Sequence, residues 1–104
     1  MNRVSNNDLF KRLQSMGNEK GVSITYTTKV FYISLLDYAA EFGEETALGL
    51  SFELSVKDMA KKAGVSDGMS EKAIKALSES GVILRNKITS KKVITILVRS
   101  VYEA

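Results

Sequence analysis

The chain has 104 residues, a length that fits one domain with its own core and is too short for two. It contains no cysteine and no histidine, which excludes disulfides and leaves zinc and haem sites without their usual ligands. The net charge is +3, and no apolar run approaches the roughly 20 residues of a membrane-spanning helix.

The first residues predict a helix and no export signal. Residues 1–8 lack the apolar core of a secretory signal, so we expect a cytoplasmic protein. Ser5 and Asp8 have the spacing of a capping box. The apolar residues behind them share one helical face: Leu9, Phe10, Leu13 and Met16. We expect Gly17 to end this helix and residues 18–21 to form a turn.

A short extended segment and a strongly apolar helix follow. Val22, Ile24 and Tyr26 alternate with polar residues, which predicts extended backbone. Residues 28–42 predict a helix whose apolar surface is wider than one stripe, and residues 43–46 predict a loop. The apolar residues of this helix are Val30, Phe31, Ile33, Leu35, Leu36, Tyr38, Ala39 and Phe42.

The surplus apolar surface of these helices predicts self-association. The helix at residues 28–42 suits more than one packing partner, and the helix before it is amphipathic. We therefore predict that residues 1–47 mediate homodimerisation.

Alternation predicts a strand directly after this region. Leu48, Leu50, Phe52 and Leu54 are separated by single residues, the period of a strand with one apolar face. We expect residues 48–104 to hold this strand, two short helices and a C-terminal hairpin, in one domain with residues 1–47.

Two short helices joined by a tight turn are predicted next. Ser55 and Asp58 form a capping-box pattern, Gly64 suits a left-handed C-cap, and Ser66 is placed to cap the second helix. The first helix has its inward face at Val56, Met59, Ala60 and Ala63. The second has its inward face at Met69, Ala73, Ile74 and Leu77, and we expect Gly81 to end it.

A longer pattern links these helices to the residues that follow. It runs through Ala63-Gly64-Val65-Ser66, Ala73-Ile74-Lys75-Ala76-Leu77 and Gly81-Val82-Ile83. This pattern resembles the winged helix-turn-helix family over roughly the last half of the chain. The resemblance implies an α+β fold with mostly helices, in which the strand at residues 48–54 pairs with a C-terminal β-hairpin, the wing. It also implies that the second helix of the motif enters the major groove of double-stranded DNA.

A helical wheel assigns the outward face of that second helix. With Leu77 pointing inward, Lys72 and Lys75 point outward. In the resembling family, the first turns of this helix meet base edges while neighbouring residues meet phosphates. The predicted DNA-reading residues are therefore Ser66, Asp67, Gly68, Met69, Glu71, Lys72 and Lys75.

The helix also departs from the family's usual pattern. Ser70 stands where a branched apolar residue is common, and no Arg or Gln offers bidentate base contacts. Asp67 and Glu71 would lie close to phosphates unless they accept from a cytosine amino group. Gly68 either permits a close backbone approach or is a flexible position in the turn.

The predicted wing carries four cations within eight positions. Arg85 and Lys87 belong to its first strand, and Lys91 and Lys92 lie at or near its turn. Apolar residues alternate on the second strand: Val93, Ile94, Ile96 and Val98. We predict contact with phosphates or the minor groove, and the alternative is that lysines on an exposed edge strand discourage aggregation.

Charge is divided unevenly along the chain. Residues 1–54 contain five Lys or Arg and seven Asp or Glu, a net charge of −2. Residues 55–104 contain ten and five, a net charge of +5. The basic half coincides with the helix-turn-helix pattern, as a DNA-binding surface requires.

An enzyme is not predicted. Without histidine or cysteine, the common general base near neutral pH and the common thiol nucleophile are missing. The carboxylate pairs Glu44-Glu45 and Asp37/Glu41 have ordinary surface spacing, and no glycine-rich phosphate loop is present. We expect no catalytic residue, cofactor or metal.

Several winged-helix proteins remain as functional hypotheses. The small size favours a transcriptional repressor or a plasmid partition adaptor, a short dimer that binds iterated sites and passes the DNA to a filament-forming motor. Both imply association with a nucleoid or plasmid. The N-terminal winged domain of plasmid and phage replication initiators is also similar. From another class, a winged helix can be a protein-interaction module, here docking through its acidic N-terminal half.

Overall fold

The computed structural model describes residues 5–47, 49–88 and 91–97, with the backbone alone at residues 86–88 and 91–97. Four helices lie within these residues: α1 (Asn6–Lys20), α2 (Tyr26–Phe42), α3 (Val56–Ala63) and α4 (Asp67–Glu79). Four strands accompany them: β1 (Glu44–Glu45), β2 (Gly49–Leu54), β3 (Ile83–Ile88) and β4 (Lys91–Leu97). The fold is therefore a mostly helical α+β arrangement. The predicted strand positions Leu48 and Val98 and the turn residues Thr89 and Ser90 lie outside the described residues.

A hydroxyl residue caps the N-terminus of every one of these helices. In each case the side-chain oxygen accepts from the backbone N–H three residues later, at 3.1–3.2 Å. The predicted caps Ser5, Ser55 and Ser66 are confirmed, and Thr25 is a fourth that the sequence analysis missed. Because these caps act within four residues, they set the helix starts locally.

The prediction that Gly17 ends α1 is wrong. The helix continues to Lys20, and Gly21 is the C-cap with a left-handed φ of 68°. Gly17 is instead a site of close packing, since a Cβ there would lie 2.6 Å from Cγ1 of Ile24 and 2.7 Å from the carbonyl oxygen of Val22. Residues 18–20 are therefore helical and do not form the predicted turn.

The bounds of the next segments also differ from the predictions. Tyr26, predicted as extended, is the first residue of α2, because the Thr25 side chain caps the helix there. The predicted loop at residues 43–46 contains β1, whose Glu44 and Glu45 pair antiparallel with Ser51 and Leu50 of β2.

The strands form one antiparallel sheet in the order β1-β2-β4-β3. The predicted pairing between the first long strand and the C-terminal hairpin is confirmed, with Phe52 of β2 opposite Ile94 of β4. On the other edge of β4, Ile94 lies opposite Arg85 of β3. This arrangement, with α3 and α4 between β2 and β3, is compatible with a winged helix.

The core is assembled from all four helices and from β2 and β3. The predicted inward phase of α4 is confirmed at Ala73, Ile74 and Leu77, whereas Met69 is only half-buried. The largest side chains that are fully buried are Tyr32, Phe31, Leu9, Leu13, Leu36, Met59, Ile74, Leu77, Ile83 and Val82.

The apolar surface of α2 is only partly buried. Phe31, Leu35 and Leu36 lie in the core with Tyr32, which was not among the predicted apolar residues. Phe42, at the end of the helix, is 59% exposed. No helix among the described residues combines the length and apolar character needed to cross a membrane.

Candidate nucleic-acid interface

A left-handed turn sets the direction in which α4 leaves α3. Gly64 has a φ of 71°, and its N–H and that of Val65 donate to the last carbonyl groups of α3. Ser66 follows at once and caps α4 through the N–H of Met69, at 3.1 Å. Glycine is favoured at position 64 because a side chain is strained at this φ.

A buried hydrogen bond holds α4 against α3. The Ser70 hydroxyl donates to the carbonyl oxygen of Val56 at 3.1 Å, and Ser70 is fully buried. This contact accounts for a polar residue at a position that is commonly apolar in the resembling family. A buried hydroxyl needs such a partner, because leaving it unsatisfied costs about 1–3 kcal/mol.

The predicted reading residues extend from the cap of α4 to its ninth residue, Lys75. Met69 is half-buried and the other six are exposed. The exposed residues are Ser66, Asp67, Gly68, Glu71, Lys72 and Lys75. The Ser66 oxygen already accepts the capping hydrogen bond, so part of its role is structural. We call the exposed face of Gly68, Glu71, Lys72 and Lys75 the α4 face.

An ion pair joins the α4 face to β3. Nη2 of Arg85 on β3 donates to Oε2 of Glu71 at 3.2 Å. Glu71 is thus accompanied by a cation, which lowers the repulsion that its carboxylate alone would exert on a phosphate. Both residues were predicted to contact DNA, and their pairing across 14 positions of the sequence was not predicted.

A second charge contact on the α4 face is weak. Nζ of Lys75 lies 4.0 Å from Oε1 of Glu79 one turn later, with both side chains more than half exposed. Exposed pairs of this kind contribute little to stability, about 0.3–0.5 kcal/mol. Lys75 therefore remains accessible to a phosphate.

The remaining predicted wing cations are brought to one end of the hairpin. The register places Lys87 opposite Lys92 and Ile88 opposite Lys91.

A basic segment of α3, for which no role was predicted, lies beside the end of α2. Nζ of Lys62 lies 4.9 Å from the ring centroid of Tyr38, a cation–π distance. Lys61 and Lys62 line a hollow together with Phe42 and Leu54. The adjacent lysines in the second half of α3 could have indicated this basic site in the sequence. Their aromatic neighbours could not, because they come from another helix.

Comparisons with known proteins reach only the level of the fold. No protein-family model matches the sequence, and no curated protein matches it. Among solved structures, the chain is similar to one described as "N-Terminal domain of DNA binding protein". The two share 12% sequence identity with a TM-score of 0.60, over 93% of this chain and 83% of that one. The likeness shows a shared fold.

Proposed function

We propose that this chain binds double-stranded DNA as a winged helix-turn-helix protein, with α4 in the major groove and the β3–β4 hairpin against the backbone. The observation that carries the proposal is the α4 face. It presents Lys72, Lys75 and the side-chain-free Gly68 outward, while the opposite face is fixed in the core. The DNA-binding protein that shares this fold supports the same function.

The distribution of charge supports the proposal. Residues 55–104 carry a net charge of +5, and they include both the α4 face and the hairpin. Cations on such a surface displace the counterions of DNA, which supplies affinity for any sequence. Lys72, nearest the start of the helix among the α4 lysines, is the one we assign to a guanine O6 or N7.

The finer proposal is a dimeric, non-catalytic and cofactor-free protein. We propose a small transcriptional repressor or a plasmid partition adaptor that passes DNA to a filament-forming motor, in the cytoplasm on a nucleoid or plasmid. The second candidate is the N-terminal winged domain of a replication initiator. This candidate is supported by the similar solved structure, which is described as the N-terminal domain of a DNA-binding protein.

Titration of lysine variants with DNA tests the proposal. A preferred duplex is first selected from random sequences, and each variant is then titrated with that duplex and a scrambled one at several salt concentrations. Lys72→Ala should cost about 1–3 kcal/mol on the preferred duplex and little on the scrambled one. Lys75→Ala should weaken both equally and lower the salt slope by about one unit.

Lys20→Ala is the matched control. Lys20 is an exposed lysine in the last turn of α1, in the acidic half, so its removal changes the net charge equally without touching the α4 face. Equal losses for all three variants would show that only net charge matters. If neither α4 lysine affects binding, the protein-interaction hypothesis replaces this one.

A further inference from the structure

An aromatic residue is left exposed at the end of α2. Phe42 is 59% exposed, although its ring centroid lies 4.9 Å from that of Tyr38. Tyr38 in turn lies 5.2 Å from the ring of Phe52, which is buried. The three rings form a ladder from the core to the surface, so the outer ring is held on a rigid support.

Two hollows of different charge flank Phe42. The basic hollow, of 430 Å³, is lined by Tyr38, Phe42 and Leu54 with Asp58, Lys61 and Lys62 at its polar side. The acidic hollow, of 260 Å³, is lined by Phe42, Glu44, Ser51, Phe52 and Glu53. Phe42 belongs to both, so one exposed ring separates two lysines from two glutamates.

This surface is complementary to itself. In a two-fold dimer each subunit uses the same patch. If one residue of the first subunit contacts another residue of the second, the same contact is therefore repeated with the subunits exchanged. A rotation about an axis near Phe42 places the basic hollow of one subunit against the acidic hollow of the other. Exposed aromatic rings are the usual anchors of such interfaces, and opposite charges around them fix the orientation.

We propose that the surface around Phe42 is the homodimer interface and that its occupant is a second copy of this chain. The Phe42 rings pack at the centre, and Lys61 and Lys62 of each copy face Glu44 and Glu53 of the other. This interface rests on the dimer in the proposed function and changes its location, because seven of the ten residues that line the two hollows belong to β2 and α3. No residue of α4 lines either hollow, so the α4 face stays open to DNA.

A charge-swap experiment tests the interface in the absence of DNA. One full-length variant carries Lys61→Glu with Lys62→Glu, and the other carries Glu44→Lys with Glu53→Lys. In a homodimer of either variant, like charges would face each other at both symmetric contacts. Sedimentation velocity should therefore show that each variant is monomeric at concentrations where the unmodified chain is dimeric. An equal mixture restores both contacts and should form a heterodimer, which also shows that both variants are folded.

Substitution of the aromatic anchor provides a second measurement. Phe42→Ala should raise the dimer dissociation constant by roughly tenfold or more. Tyr26→Ala is the matched control, since Tyr26 is 70% exposed at the opposite end of the same helix and should leave the dimer unchanged.

The results that would overturn the interface differ from those that would overturn DNA binding. A monomeric unmodified chain, a mixture that stays monomeric, or dissociation by Tyr26→Ala and not by Phe42→Ala each excludes the surface around Phe42. None of these results concerns Lys72 or Lys75. Conversely, a restored heterodimer combined with unchanged DNA titrations for both α4 lysines would keep the interface and remove the proposed function.

Discussion

Two glycines inside helices, Gly17 in α1 and Gly68 in α4, have opposite surroundings. A Cβ at Gly17 would meet Ile24 and the carbonyl of Val22 at less than 3 Å, so the close approach of this segment requires glycine. A Cβ at Gly68 would meet nothing within 4 Å, and the residue is exposed. The fold therefore has no steric need for glycine at position 68, where alanine is the better helix former.

Alanine at these two positions should change stability in opposite directions. Gly68→Ala should stabilise the protein by about 0.5–1 kcal/mol, because it raises helix propensity without a clash. Gly17→Ala should destabilise it by roughly 1–3 kcal/mol through overpacking against Ile24. Urea denaturation of both variants measures the two effects, and a stabilised Gly17→Ala would show that the packing around Ile24 can relax.

The same Gly68 variant separates the two roles left open for this position. If the DNA backbone approaches Gly68 closely, Gly68→Ala weakens duplex binding although the protein is more stable. Unchanged binding by the stabilised variant would show that Gly68 is only a flexible position at the start of α4.

At the scale of elements, polar contacts join α4 to two of its neighbours, in addition to the buried face that packs in the core. Ser70 joins it to α3 through the carbonyl of Val56, and Glu71 joins it to β3 through Arg85. The first contact is buried, whereas the side chains of the second are 48% and 28% exposed. The contact between α4 and β3 is consequently open to competition from phosphate.

Neutralising Glu71 should strengthen DNA binding. Glu71→Gln removes a negative charge and releases Arg85 for phosphate contact, so affinity for preferred and scrambled duplexes should rise together. Arg85→Gln should weaken both. In stability, a double-mutant cycle should give a coupling of only about 0.2–1 kcal/mol, because the pair is screened by solvent.

The alternative role of Glu71 gives the opposite result. If its carboxylate accepts from a cytosine amino group, Glu71→Gln loses affinity for the preferred duplex alone. Titration of the preferred and scrambled duplexes at one salt concentration therefore shows whether Glu71 only pairs with Arg85 or also contacts a base.

At the scale of the whole molecule, α1 and α2 share one group of packed side chains with α3, α4, β2 and β3. Leu9 and Leu13 of α1 are buried in the same cluster as Ile74 and Leu77 of α4. The N-terminal helices therefore help to hold α4 in place.

Truncation of one core leucine in either half should destabilise the entire chain. Leu13→Ala and Leu77→Ala each remove a fully buried side chain, at an expected cost of roughly 2–5 kcal/mol. That is a large share of the about 5–15 kcal/mol of a typical domain. Hydrogen exchange should show faster opening of α1 and α4 amides in both variants. Acceleration confined to the half that carries the substitution would indicate two independent units.

Features that involve residues close together in the chain were predictable from their spacing. The helix starts at Ser5, Ser55 and Ser66 were predictable, because a cap and its N–H partner lie three residues apart. The exposed face of α4 was predictable for a similar reason, since the helical period relates Lys72 and Lys75 to the buried Leu77. The pairing of β2 with the hairpin followed only once the family resemblance supplied a topology.

Tertiary structure decided the features that join distant residues. Gly17 was misinterpreted because its neighbour Ile24 approaches only after the chain has turned beyond Gly21. Neither the Glu71–Arg85 ion pair nor the two hollows beside Phe42 has a sequence period, because their residues come from different helices and strands. Local spacing determines which face of a helix is polar, but only the packing of elements determines which charges on that face are paired and which apolar rings stay exposed.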